Sequence, residues 1–149
     1  QLDAGADALC LADHATRDLC SPQAYRDFLM ERHHQLAATL ACPVILHICG
    51  DTADRLEYIR QTGVHCFHFD SRVPAATARR LAGAKLSLMG GIGNVATIRN
   101  GSPEDVRAAV AATRRCGVDV LGPECAVPLD APCANLVALS GAARGLAPS

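Results

Sequence analysis

Pro43-Val44-Ile45-Leu46-His47-Ile48-Cys49-Gly50-Asp51 begins with a residue that cannot continue a helix, runs through short aliphatic side chains and ends on polar ones. A run of that length and makeup reads as a parallel β-strand buried on both faces, with its polar residues where the chain leaves the sheet. The same pattern recurs on both sides of it. The predicted strands are Ala6 to Ala12, Val44 to Cys49, Val64 to Phe69, Lys85 to Gly90 and Val118 to Gly122. Gly5, Gly63, Gly83 and Gly117 precede four of them, where a helix would end in a left-handed cap, and Pro43 does the equivalent before the second. Ser21-Pro22 and Ser102-Pro103 each put a hydroxyl at an N-cap and a proline at the first helical position, Glu104 and Asp105 add acid to a first turn, and Asp51 is a third N-cap candidate. After Ser102, the apolar or small residues Val106, Ala109, Val110 and Thr113 recur at helical spacing, so that helix packs one side on a sheet.

Strands alternating with helices make an α/β fold. It is either an open doubly wound sheet or part of a (βα)8 TIM barrel. Leu2-Asp3-Ala4-Gly5 reads as the last turn of a helix and residue 1 is Gln, so the expectation is the C-terminal portion of a longer protein, about five βα units of eight. A full barrel takes ~250 residues. No glycine-rich phosphate fingerprint opens a helix, and Gly90-Gly91-Ile92-Gly93 is too loose to count as one. The expected organisation is therefore residues 1–149 as the C-terminal part of a single barrel domain.

Composition bounds the function. Half of the 149 residues are hydrophobic, but only 3% are aromatic and none is Trp, so the core is aliphatic. Fourteen Lys and Arg against 15 Asp and Glu give a net charge of -1, which disfavours nucleic acid or an anionic membrane surface as partner. No stretch approaches the ~20 apolar residues of a membrane helix, and a soluble, cytoplasmic protein is expected. The eight cysteines read as reduced thiols, some of them metal ligands, because the chain is longer than a disulfide scaffold, can build a core and shows no secretion signal.

The unusual polar residues fall at strand ends: Asp13-His14, His47-Ile48-Cys49, His68-Phe69-Asp70, Gly90-Gly91 and Glu124-Cys125. In a parallel barrel that end is the active-site face. His47 and Cys49, two apart on a strand, point to one side and can grip one ion, and imidazole with thiolate suits zinc. Cys125, at the end of the last strand, reaches the same mouth in a closed barrel. One His and two Cys with an open fourth position is a catalytic zinc pattern. Glu124 is a candidate to fill that position at rest or to act as a base. His68 and Asp70 share a face of the third strand, as candidates to orient substrate, to take up a thiol proton, or to support the ligands from behind. Gly90 and Gly91 admit a bulky cofactor ring close to the backbone, or simply a tight turn. Cys10, Cys42, Cys66 and Cys116 are expected to be small buried hydrophobes, Cys20 and Cys133 lie in expected loops, and His33-His34 is expected on a solvated helix face.

Three stretches, Ala12-Asp13-His14-Ala15-Thr16, Leu46-His47-Ile48-Cys49-Gly50-Asp51-Thr52 and Gly122-Pro123-Glu124-Cys125-Ala126-Val127-Pro128, together resemble the uroporphyrinogen decarboxylase superfamily. More narrowly they resemble its methyltransferase branch, the methylcobamide:coenzyme M methyltransferases and relatives. The resemblance runs from about Ala4 to Leu136. It implies a (βα)8 barrel, zinc held by His47, Cys49 and Cys125, a small thiol substrate such as coenzyme M, and a methyl group arriving on a corrinoid carried by a partner protein. A thiol on such a zinc loses its proton at neutral pH and becomes the nucleophile. Two other readings stand beside it: a metal-free porphyrinogen decarboxylase, and a non-catalytic fragment that zinc stabilises for binding.

Overall fold

The computed structural model describes residues 1–145; the last four residues of the expected domain lie outside the described ones. Strands β1 (Leu9–Asp13), β2 (Val44–Ile48), β3 (Cys66–Phe69), β4 (Ser87–Ile92) and β5 (Val120–Pro123) form one sheet in the order β1-β2-β3-β4-β5, every pair parallel. All five predicted strands are present. Each neighbours the next in sequence, without the reversal of order that defines a doubly wound sheet, so the fold is an arc of a (βα)8 barrel.

Helical segments connect the strands. After β1 come α1 (Pro22–Ala24), a π-helical segment Tyr25–Leu29 and α2 (Met30–Thr39). After β2 comes the short α3 (Leu56–Ile59), and after β3 α4 (Ala75–Ala82). A second π-helical segment, Asn94–Arg99, precedes α5 (Pro103–Arg115), and α6 (Cys133–Ala143) follows β5. The Ser21 side chain accepts from the backbone N–H of Ala24, and Ser102 and Asp105 form a reciprocal capping box. Asp51 behaves otherwise than expected: it accepts from Ala53 N in a tight turn and caps no helix, since α3 starts only at Leu56.

Alternation along β2 decides what faces what. Val44, Leu46 and Ile48 are buried in a core shared with Leu56 and Ile59 of α3, Ala78 and Ala82 of α4, and Phe67 and Phe69 of β3. His47 lies on the opposite face of the same strand. A second core joins Ile92, Ile98, Val106, Val110 and Ala138 under α5 and α6; Val106, Val110 and Thr113, on the stripe read from the sequence, are buried.

Three expectations are corrected. His33 is not solvated: it is 3% exposed and bridges the Tyr25 hydroxyl at 2.8 Å and the Asp13 carboxylate at 2.9 Å. The stripe Tyr25, Leu29, His33, Ala37 runs at i, i+4 spacing toward the core and carries His33 inward, while His34 stays exposed. Cys10 is exposed, because among the described residues β1 pairs only with β2 and leaves that side of the strand open. Cys133 opens α6 instead of lying in a loop. Beneath the mouth, Arg55 is fully buried and donates to the carbonyls of Ala15 at 2.7 Å and Cys20 at 2.8 Å and to Asp54 at 2.9 Å. That satisfied guanidinium ties the loop after β1 to α3.

Candidate metal centre

His47, on the inward face of β2, is 8% exposed. Its Nδ1 lies 3.1 Å from the carbonyl oxygen of His68, its partner in the β2–β3 register. A carbonyl only accepts, so Nδ1 carries the proton and the lone pair of Nε2 is free to bind a metal. Burial, above all, holds His47 below its ordinary pKa and so in the neutral form that binds metals.

Cys49 follows β2 directly and Cys125 follows β5 by two residues. His47 Nε2 is 3.0 Å from Cys49 Sγ and 3.3 Å from Cys125 Sγ, and the two sulfurs are 3.2 Å apart. The three donor atoms lie within 4.8 Å of one another, the one such group of ligating side chains among the described residues. Zinc, with bonds of about 2.3 Å to sulfur and 2.0–2.1 Å to nitrogen in a tetrahedron, would separate such donors by roughly 3.6–3.8 Å. The donors need part by only about half an ångström to admit it, and a cluster of neutral imidazole and two thiols suits that ion in its chemistry as well. Burial, the contact with Cys125 and the carboxylates of Asp70 and Glu124 push the Cys49 thiol up to about 11, so the protein alone leaves it protonated at neutral pH. Ionising it takes a cation.

The other expected site residues lie at the same end of the sheet, and His68, Asp70 and Glu124 each make hydrogen bonds to the backbone. His68 stacks against His47 with ring centroids 4.3 Å apart, and its Nε2 donates to the Pro123 carbonyl at 2.8 Å. Asp70 accepts from Gly50 N at 2.8 Å and Arg72 N at 2.9 Å, fixing the turn just past Cys49. Glu124 accepts from Asn94 N at 2.7 Å and from the backbone and hydroxyl of Ser71, and stays outside the donor cluster. Asp13 is held by His33 and by Ala15 N, and His14 beside it is exposed. Gly90 and Gly91, expected at the end of their strand, lie within β4, which runs on to Ile92, and the rings that approach them are the protein's own. A Cβ on Gly90 would sit 2.6 Å from the His68 ring, and one on Gly91 would sit 2.6 Å from the Phe69 ring; both glycines have positive φ.

Sequence reasoning missed Ser71 and Asn94. A signal existed for Asn94, which stands just past the β4 end where every other strand had yielded a polar residue.

Residues 1–146 match the family described as Uroporphyrinogen decarboxylase (URO-D). The chain is 40% identical over 136 residues to the methylated-thiol–coenzyme M methyltransferase of Methanosarcina mazei, covering 89% of this chain and 36% of that protein. It is 30% identical over 143 residues to the methylcobamide:CoM methyltransferase MtaA of Methanosarcina barkeri, covering 95% of this chain and 42% of that protein. A solved methyltransferase from Methanosarcina mazei superposes with a TM-score of 0.93 at 28% identity, over 97% of this chain and 43% of that one. The chain thus spans roughly two-fifths of the length of these relatives.

Proposed function

The chain belongs to the uroporphyrinogen decarboxylase family, and from that premise we propose that it is the C-terminal part of a barrel enzyme of the methyltransferase branch, moving a methyl group from a methylated corrinoid protein to a thiol acceptor such as coenzyme M. The observation that carries this reading is the meeting of His47, Cys49 and Cys125 at the C-terminal end of the parallel strands. The names of the curated relatives supply the thiol acceptor and the methylcobamide donor.

His47 Nε2, Cys49 Sγ and Cys125 Sγ would hold zinc, with a fourth position open for the substrate sulfur. Zinc there would supply the positive charge that keeps all three sulfurs ionised at neutral pH. The remaining work belongs to the protein. The His68 carbonyl keeps the proton on His47 Nδ1 and so presents Nε2. Asp70 sets the turn that carries Cys49 to the mouth, and His68 pins the last residue of β5. We assign His68, Asp70 and Glu124 to holding and orienting this site, and Gly90 and Gly91 to the close packing of β4 on β3 beneath it. No helix among the described residues is long and apolar enough to cross a membrane, and all eight cysteines are free thiols, in keeping with a cytoplasmic site of action.

The test is the metal content of the purified protein beside His47→Ala and Cys125→Ser. About one zinc per chain, lost in both variants, is the expected result. Absence of zinc, or zinc indifferent to both changes, would return the chain to the metal-free decarboxylase reading; tightly bound zinc that no added thiol can approach, in a site closed by four protein ligands, would favour a purely structural metal.

A further inference from the structure

Cys49 is placed by the strand it extends, but Cys125 arrives from three strands away on a loop without regular structure. Its position has to come from what grips that loop. Before it, the Pro123 carbonyl accepts from His68, and Glu124 N donates to the Ile92 carbonyl at 2.9 Å. The Glu124 carboxylate accepts on one oxygen from Asn94 N at 2.7 Å and on the other from Ser71 N at 3.1 Å and from the Ser71 hydroxyl. After it, the Ala126 carbonyl accepts from Asn94 Nδ2 at 2.8 Å. Asn94, 6% exposed, therefore holds the residue before Cys125 with its backbone and the residue after it with its side chain.

We propose that Asn94, backed by Ser71, is a positioning residue for the metal centre: by clamping Glu124 and Ala126 it sets where Cys125 Sγ stands relative to Cys49 and His47. This rests on the metal reading above. A ligand that must travel from another strand costs affinity whenever its loop is free to wander, and groups that orient ligands without touching the metal typically contribute 10–100-fold to metal affinity. The Asn94 bond to Ala126 also leaves its own Oδ1 buried without a protein partner, a cost that the grip has to offset.

Asn135 supplies the control. It is 1% exposed, donates its Nδ2 to the carbonyls of Ile98 at 2.9 Å and Gly101 at 2.7 Å, and likewise leaves its Oδ1 unpartnered, but it lies on α6 and its bonds go to those two carbonyls instead of to the loop that carries Cys125. The experiment is a Co2+ titration of the apo-protein, followed through the sulfur-to-cobalt charge-transfer band, with thermal unfolding in parallel. Asn94→Ala should weaken Co2+ binding about 10–100-fold and alter the band. Ser71→Ala should move both in the same direction by about a few-fold. Asn135→Ala should lower the unfolding temperature yet keep the wild-type affinity and spectrum. Wild-type affinity and spectrum in Asn94→Ala overturn the proposal, as does an equal loss in Asn135→Ala; if Asn94→Ala does not fold, the same readings in Ser71→Ala decide. A wild type that takes up no Co2+ or Zn2+ overturns the metal reading itself, which sets that failure apart.

Discussion

Cys66 on β3 shows what its surroundings do to a buried thiol outside the donor cluster. Burial, with Asp119 adding its negative charge, pushes it up to about 11 from an ordinary 9.0. A folded value above the unfolded one means that this stabilising contribution is full below about 9 and is lost as pH climbs through about 11. Urea midpoints of the apo-protein should therefore fall across that window, and Cys66→Ala should flatten part of the fall; identical slopes in both proteins would contradict the assignment. At this scale the sequence was legible where one strand sufficed. His47 and Cys49 share a face because side chains alternate, and no tertiary knowledge is needed to see it. His33 was misread because a polar neighbourhood, Glu31, Arg32 and Gln35, masked the stripe that turns it inward against Tyr25 and Asp13.

The starts signalled by Ser21-Pro22 and Ser102-Pro103 stand where they were read, the one at Asp51 does not, and the caps are testable. Ser102 accepts from Asp105 N, while the Asp105 carboxylate accepts from the Ser102 backbone and hydroxyl. Ser102→Ala removes the side-chain half of that exchange and should cost about 0.5–2 kcal/mol, read as a lower denaturant midpoint at unchanged slope; no change would mean that packing of Val106 and Val110 alone holds α5. Elements whose logic is not local were missed. The π-helical segment Asn94–Arg99 has neither a side-chain cap nor a hydrophobic repeat of its own; it is held by Glu124, just past β5, and by the burial of Ile98 in the second core. The glycines of β4 were read at its end as room for a cofactor ring or as a tight turn, whereas two rings of β3 require their missing side chains inside the strand.

The sheet is open at both sides among the described residues, since β1 pairs only with β2 and β5 only with β4. Val120 on β5 is 47% exposed, and the edge of β1 together with Leu36 and Leu40 lines an apolar groove of about 160 Å³. Unpaired strand edges and uncovered apolar faces template association. The chain by itself should be marginally stable or self-associated in sedimentation velocity; a monomer that unfolds cooperatively on heating would refute this. The solved methyltransferase accounts for the same fold over 97% of this chain while extending well beyond it, which is where partners for those edges would be sought.

What the sequence determined by itself was whatever local periodicity and punctuation carry: five strands, the helices capped by Ser21 and Ser102, an aliphatic core, and a His and a Cys two residues apart at the end of one strand. Its motifs also pointed to the family that the comparisons then bore out. Only the tertiary structure decided that the order of strands is unbroken, that Cys125 closes to within 3.2 Å of Cys49 across a separation of 76 residues, and that Asn94 and Ser71 hold the loop that brings it there. The reason is physical. Alternation and capping are set by neighbours along the chain, whereas the convergence of strand ends depends on the register and twist summed over every strand between them.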